Sequence, residues 1–560
     1  MQLSDGQRLL YLYMREGWRR FSRRLAVGRV STLRFSGSTP DRLIVAPTDL
    51  HPADSFAGEE IALGRFPLAG RVLDCDGESP FALELPSERF AVRLHSFRWL
   101  RHLRLIDPAT AAATARFLVD DWLHSHGKTI GGLAWRPDVI AQRIIAWLSH
   151  SPVVLKDADY AFYRRFLKSL AFQVRYLRHV ADTTRDGEQK LRVRIALSMA
   201  SIAMPAPASA MRRAARNLDA ELIRQFLADG GHCSRNPRAA LDLLLDLLPL
   251  RQTYVNLGHD VPAQLIPCID RIYPALRFFR HQGGELALFN GATYTLANEL
   301  MSALRYDETG GAPFKALPSL RYDRLAAGET VVLMDTGAPQ SVALSATAAA
   351  GTLSFEMSSG RNRFIVNAGR PRFAGEAIRR MSRMTAAHTV ATLNDTSSSR
   401  ISTSSFLGPI LIGGVRKVEA SRYEPQAGAD GVIATHDGYL KAFGLLYERD
   451  IRLAASGDEL RGRERFFRPN APDAPLSGGV AVVRFHIHPS IRLDRISQNE
   501  TSLVAPDGES WSLSCIDAPV EEEEDVFFAD PSGIRPSRQL MLTMPLARIS
   551  ELQWLLIRQR

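Results

Sequence analysis

The hydrophobic pattern of this 560-residue chain changes period once, and that change constrains the fold more than any single motif. From about residue 85 to 305 apolar residues recur every three or four positions, the spacing that lines one face of a helix. The pattern is clear in "ATAAATARFLVDDWLHSHG" (109–127), "RPDVIAQRIIAWLSH" (136–150) and "YAFYRRFLKSLAFQVRYLRHVA" (160–181). It continues in "LRVRIALSMASIAM" (191–204), "SAMRRAARNLDAELIRQFLADGG" (209–231) and "PRAALDLLLDLLPLRQTYVNLG" (237–258). Pro137 and Pro237 stand where a first helical turn tolerates proline, and Gly127, Gly231 and Gly258 stand just past helix ends. Successive helices with short connections and no interposed strand predict an α/α toroid, an incomplete helical barrel.

From about residue 321 the period shortens to two. Strand-like runs are "ETVVLMDTG" (329–337), "GTLSFEMSS" (351–359), "RNRFIVNAG" (361–369), "HTVATLND" (388–395) and "GGVRKVEASRYE" (413–424). "VAVVRFHIHPSIRLDRI" (480–496), "DGESWSLSC" (507–515) and "RQLMLTM" (538–544) carry the pattern towards the end. Short strands separated by Gly, Asn, Asp and Ser predict an antiparallel β-sandwich. The acidic run "VEEEEDVFF" (520–528) reads as a solvated loop. The expected organisation is an α+β multidomain chain: 1–84 an N-terminal segment of one helix and strand-like pieces ("RLIVAPTDL", "AGRVLDCDG") packed on the toroid, 85–320 the toroid, 321–560 the sandwich.

A formal net charge of +10 favours an acidic partner. The excess is mostly arginine, spread without a basic tail or a nucleic-acid motif. Arginine suits a bidentate grip on the carboxylates of an anionic polysaccharide, and a plain basic surface without a specific partner is the equal alternative. The four cysteines, Cys75, Cys233, Cys268 and Cys515, show no metal or disulfide spacing and read as free thiols. No stretch is apolar enough to span a membrane. The N-terminus, "MQLSDGQRLLYLYMREGWRRFSRR", is an amphipathic basic helix without the apolar core of a secretory signal. A cytoplasmic location is therefore expected, with the periplasm as the alternative.

Several stretches together resemble the heparinase II/III family of polysaccharide lyases, in a proteobacterial branch. "RFSGSTPDRLIVAPTDL" with "LHSFRWLRHLR" is similar to the family's N-terminal segment. "LAWRPDVIAQRIIAWLSHSP" and "FLADGGHCSRNP" resemble its toroid signatures. "HQGGELALFNG" (281–291), "GTLSFEMSSGRNRFIVNAG" (351–369), "AAHTVATLND" (386–395), "ATHDGY" (434–439) and "RFHIHP" (484–489) resemble successive pieces of its sandwich. The resemblance implies β-elimination at a uronic acid, in a cleft between toroid and sandwich. Such a site must neutralise the uronate carboxylate and stabilise the enolate-like charge, while Tyr or His moves the proton.

Carried over position by position, the resemblance departs in places. The family's Tyr after the DG loop falls on Ala239, and its usual sandwich His falls on Ala349, with Gly351 and Asn367 at two acidic positions. Of the set that binds zinc in some members only His388 remains, so neither a metal nor another cofactor is expected. The helix that carries the carboxylate-neutralising amide reads "DGEQKLRVRIAL" (186–197), where Gln189, Arg192 or Arg194 can substitute. These departures motivate an alternative function, a degenerate anionic-glycan-binding protein that does not cleave.

The candidate catalytic set is His232, Arg235, Asn236, Tyr254, Tyr294 and His388. His232 is the acid/base candidate, on a loop that ends at a helix start where positive potential favours an anion. The competing reading is a helix cap by Ser234 or Asn236 ahead of Pro237. Arg235 and Asn236 can grip a carboxylate, or make surface contacts. Tyr254, Tyr294 and His388 can present a proton-transfer group to the cleft, or pack. Substrate contacts fall to Gln189, Arg192, Trp135, His259 and Asn290. Trp135 can stack on a sugar ring or belong to the toroid core. His486 and His488 share one strand face, a spacing that can chelate but lacks an evident third ligand.

Overall fold

The computed structural model describes residues 5–26, 33–127, 129–339, 342–424 and 426–559. Helices α1 (Asp5–Ala26) and α2 (Ser55–Ala62) belong to the N-terminal segment. The array follows as α3 (Glu88–Ser96), α4 (Pro108–Ser125), α5 (Pro137–Ser149), α6 (Ser151–Val154) and α7 (Tyr160–Val180). It continues through α8 (Glu188–Ala203), α9 (Ala208–Gln225), α10 (Pro237–Asn256), α11 (Leu265–Phe279) and α12 (Ala297–Leu304). Local signals set the ends: Pro108, Pro137 and Pro237 open first turns, and the Asp107 and Asn236 side chains accept backbone N–H groups as caps.

Helix α10 is apolar nearly all round and packs against both α8 and α11. A helix of that pattern must be enclosed. Leu241, Leu244, Leu247 and Leu250 are wholly buried. Each such leucine contributes about 2 kcal/mol. The tryptophans Trp99, Trp122, Trp135 and Trp147 are buried in this core, where Trp122 meets Trp147 edge-on with ring centroids 5.6 Å apart.

The second half is two antiparallel sheets. One runs, in spatial order, Glu521–Asp530, Gly533–Pro545, Val480–Ile487, Asn362–Val366, Phe355–Ser359, Thr330–Asp335, Tyr322–Ala327 and Ala316–Leu317, with Ala391–Leu393 also on Val480–Ile487. The other runs Val418–Tyr423, Asp430–His436, Leu446–Leu453, Glu459–Phe467, Glu551–Gln559, Ser510–Cys515, Glu500–Val504 and Arg492–Arg495. Their inner faces meet at Phe355, Phe485 and Trp554, with the Phe355 and Trp554 rings stacked at 5.6 Å. Helical array and antiparallel sandwich follow the change of period.

Four local expectations change. The acidic run is not a loop: Glu521–Asp530 is an edge strand paired with Gly533–Pro545. Its four consecutive glutamates are exposed, and charge on an edge discourages pairing with other chains. The run 480–496 is two strands in different sheets, divided beside Pro489. "RLIVAPTDL" forms no strand; it is held irregularly against the helices, with Ile44 N–H donating to the Ala203 carbonyl. Gly231 lies beyond an irregular turn after α9 rather than at its end.

The N-terminal segment packs on the helical half, and α1 also reaches the sandwich. Tyr13 donates to the Ser404 hydroxyl at 3.0 Å, Arg20 to the Phe406 carbonyl at 2.7 Å, and Arg15 pairs with Asp186 on the helical side. Its apolar stripe, Leu10, Met14, Trp18, Phe21 and Leu25, faces outward, so arginines turn inward.

Candidate functional site

The loop "DGGHCSRNP" joins the two halves. Gly230 has φ +84, and a Cβ there would lie 1.7 Å from the Arg271 carbonyl oxygen. A Cβ at Gly231 would lie 1.7 Å from Leu320 Cδ1. Glycine is required by this close approach of backbone and neighbours. Asp229 accepts the N–H groups of Ser319 at 2.8 Å and Leu320 at 2.9 Å.

Arg235, itself at φ +62, sends its buried guanidinium across the joint. It donates to the carbonyls of Leu320 (2.8 Å), Gly337 (2.8 Å) and Arg321 (3.0 Å), pairs with Asp335, and lies over the Tyr322 ring. Asn236 caps α10 by accepting Arg238 N–H. His232 is 1% exposed; Nδ1 meets Ser234 Oγ at 2.8 Å and Nε2 meets Gln225 Oε1 at 2.9 Å. Burial, then Arg192, pushes its pKa down to about 3, so the imidazole is neutral at pH 7. All three side chains are thus committed to contacts within the protein.

A separate cluster of charged residues lies where the helical array meets the loop 367–373, and the exposure of Arg93 at depth marks it as a cleft. Arg372 Nη1 donates to the Tyr294 hydroxyl at 2.9 Å and stands 5.2 Å from the centre of its ring. Arg93 of α3 and Arg372 both approach the Phe373 ring, at 5.0 and 5.6 Å. Arg93 is exposed although deep in the protein; its depth, then Arg372, Arg98 and Arg101, pulls its pKa down to about 9. Arg89 ties this loop to α3 by donating to the Arg372 carbonyl at 2.7 Å.

Helices α8 and α10 form the facing wall. Arg238 bridges Glu299 at 2.7 Å and Asp242 at 3.0 Å, and donates to the Tyr294 carbonyl at 3.1 Å. Arg192 pairs with Asp246 at 2.9 Å. Burial alone would raise Asp242, but Arg238 and Arg192 outweigh it and hold the carboxyl below its ordinary value. Glu188 is raised: burial and Asp242 outweigh Arg192, Arg370 and Arg238. Among the described residues Arg93, Arg370 and Arg372 have no carboxylate within ion-pair distance, so the cleft carries unpaired positive charge that an anion can neutralise.

Beneath it a small cavity is lined by Asp49, His51, Arg98, Arg192 and Asp246. Asp49 holds His51 Nδ1 at 2.9 Å and His150 Nε2 at 3.1 Å, and pairs with Arg101. Burial, Arg98 and Arg101 lower the His51 pKa against the pull of Asp49.

The other sequence candidates scatter. Tyr254 is buried with its hydroxyl 2.9 Å from Ser198 Oγ. His259 follows the end of α10, its N–H bonded to the Tyr254 carbonyl. Asn290 is buried at the joint, donating to Tyr322 Oη (2.7 Å) and Asp335 (2.9 Å), while its oxygen accepts Ala349 N–H. His388 is buried in the sandwich with Nδ1 2.8 Å from the Met384 carbonyl, and burial pushes its pKa down to about 4. A Cβ at Gly351 would meet the His388 ring at 2.5 Å, so that ring occupies the space of a longer side chain. His486 is buried against Asp525 at 2.6 Å, whereas His488 lies past the strand end and bonds Ser490. No group of three His, Cys, Asp or Glu able to hold a metal occurs among the described residues. Trp135 is 2% exposed and lines, with Gln189, a groove beside the cleft.

Of the sequence candidates, Tyr294 stands in the cleft against Arg372, and Arg192 stands on the α8 wall, paired with Asp246 and lining the small cavity. Arg93, Glu188, Asp242, Arg370 and Arg372 went unselected. One signal was legible: Arg238, Asp242 and Asp246 stand four apart in the otherwise apolar stretch 237–250 of α10, a charged stripe that an enclosed helix carries only towards partners or a cleft.

Residues 309–555 match the family described as "Heparinase II/III-like, C-terminal". FtsZ-localized protein C of Caulobacter vibrioides is 32% identical over 493 residues, covering 86% of this chain and 84% of that protein. Among solved structures, "Crystal Structure of Heparinase III" superimposes with a TM-score of 0.71 at 12% identity, covering 94% of this chain and 88% of that one. Heparan sulfate lyase HepC from Pedobacter heparinus gives 0.60 at 15% identity, covering 94% and 87%. At these identities the structural likeness shows the fold.

Proposed function

This chain belongs to the heparinase II/III-like family, and on that premise we propose that its cleft binds an acidic, uronate-containing glycan and cleaves it by β-elimination. The observation that carries the reading is the trio of cleft arginines without carboxylate partners, Arg93, Arg370 and Arg372, the last bonded to the Tyr294 phenol. Arginine grips a carboxylate bidentately, and a deep site strengthens that contact over its value in water.

In this reading Arg93 and Arg372 neutralise the uronate carboxylate. Tyr294 Oη takes the C5 proton while passing its own proton to the leaving oxygen: the C5–H electron pair forms the C4–C5 double bond, and the C4–O pair departs with the leaving sugar. The leaving oxygen takes up a proton, so no water is consumed. Arg192 keeps Asp246 ionised and adds positive field from the far wall. No step requires His232, whose ring nitrogens are both occupied.

The second reading is binding without cleavage, favoured by Ala239 and Ala349, buried alanines where the family resemblance sets a Tyr and a His. Mass spectrometry of glycan digests separates the two. Elimination gives fragments whose masses sum to the parent; hydrolysis adds one water per cut. Intact glycan that co-migrates with the protein supports binding alone. Intact glycan without binding, across pectic, glucuronate and sulfated polymers, overturns both.

A further inference from the structure

The inward face of α1 makes a second basic site. A groove of about 690 Å³ runs beneath it, lined by Arg19, Arg23, Arg24, Arg136, Arg185 and Gln189 among others. Glu16 serves Arg19 and Arg185, while Glu88 and Asp138 serve Arg136. Arg23 and Arg24 have no carboxylate within ion-pair distance among the described residues. Arg23 is half-buried, and its pKa is lowered by burial and by Arg19 and Arg136. Like charges have thus been gathered in a concave, partly desolvated place with too few anions to balance them, an arrangement that favours a bound polyanion.

The groove and the cleft are neighbours along two helices, α8 and α3. Gln189 lines the groove, and the adjacent Glu188 belongs to the cleft wall. Glu88 lines the groove, and the adjacent Arg89 bonds the backbone of Arg372 in the cleft. The roof is fixed from both sides, by Arg15–Asp186 to the helical half and by Tyr13–Ser404 and Arg20–Phe406 to the sandwich.

We propose that the groove is a second subsite for an anionic oligosaccharide, in which Arg23 and Arg24 contact carboxylate or sulfate groups of the chain running out of the cleft. The assignment rests on the cleft being an acidic-glycan site. It gives the basic face of α1 a direct role: holding sugars remote from the reacting bond.

The test uses the full-length chain and its Arg23→Gln/Arg24→Gln variant. Calorimetry measures binding of tetramers and dodecamers of galacturonate, hyaluronan and heparan sulfate. The wild type is expected to bind one dodecamer more tightly than its tetramer. The variant should lose that advantage by about tenfold or more per missing contact, leaving tetramer affinity unchanged. A dodecamer affinity untouched by the substitutions overturns the subsite. So does an equal loss for tetramer and dodecamer, which would mean a general charge effect. Failure of the wild type to bind any probe overturns the cleft reading itself, and this inference with it.

Discussion

Replacing Arg235 by methionine isolates the contact that joins the two halves. The change leaves Asp335 without its ion-pair partner and three carbonyls, of Leu320, Arg321 and Gly337, without this donor. Breaking a buried pair by removing one partner costs about 3–5 kcal/mol. Lost carbonyl bonds and the contact with Tyr322 place the expected total near the upper end, about 5 kcal/mol at pH 7. Methionine inherits the left-handed backbone at this position, so no strain is relieved. Asp335 keeps its bonds from Asn290 and from Gly337 N–H. Burial already raises its pKa, and the variant raises it further. A carboxyl whose folded pKa is raised is stabilising below its unfolded value and loses that contribution as pH rises, so the deficit should shrink towards pH 4. Urea unfolding followed by tryptophan fluorescence reports on both halves, through Trp122 and Trp147 in one and Trp511 and Trp554 in the other. The double variant Arg235→Met/Asp335→Leu should be less destabilised than the sum of the singles by about 2 kcal/mol or more. A single-variant loss below about 1 kcal/mol, or strictly additive losses, would refute the account of the joint.

Other outcomes follow from the same contacts. His232→Gln should destabilise the chain by about 1–3 kcal/mol through its lost bonds, with the glycan affinity of the folded protein unchanged; selective loss of affinity in equilibrium binding would show that the imidazole serves the cleft. His95 and His232 are held down to about 3, and His388 and His436 to about 4, chiefly by burial. Neutral when folded, they contribute stability above pH 6.5 that is lost as pH falls towards 4, each with a slope of about 1.4 kcal/mol per pH unit. Urea midpoints from pH 7 to 4 check this, and a flat profile would contradict it. Arg372→Gln should weaken acidic-glycan binding about tenfold or more, by removing a charge-assisted contact. Equal titration curves for wild type and variant would remove Arg372 from the site.

The fold was legible because periodicity is a direct record of which face each element buries. Helix α10 and the strand Thr330–Asp335 show this, one apolar at every turn and the other buried throughout. The edge strand Glu521–Asp530 was hidden because its first half buries nothing, so only its backbone pairing identifies it. At the site, sequence favours conspicuous loops. "DGGHCSRNP" stands out because a tight joint needs glycine, a cap and a buried arginine, the same residue types that an anion site uses. Arg93 and Arg372 are inconspicuous in sequence, since one sits on an amphipathic helix and the other in a short loop more than 270 residues later. Only the packing of the two halves brings them to the same phenylalanine ring.

The central claim is tested most directly by following absorbance at the unsaturated-uronate band, for wild type and Tyr294→Phe, on the acidic polysaccharide that binds most tightly. Phenylalanine keeps the ring beneath Arg372 and removes only the hydroxyl that the arginine holds. A steady rise is expected with the wild type and a loss of about a hundredfold or more in rate for the variant, with affinity little changed. Equal rates in the two proteins would contradict Tyr294 as the proton-transfer group, and a flat trace from a wild type that binds would contradict elimination at this cleft.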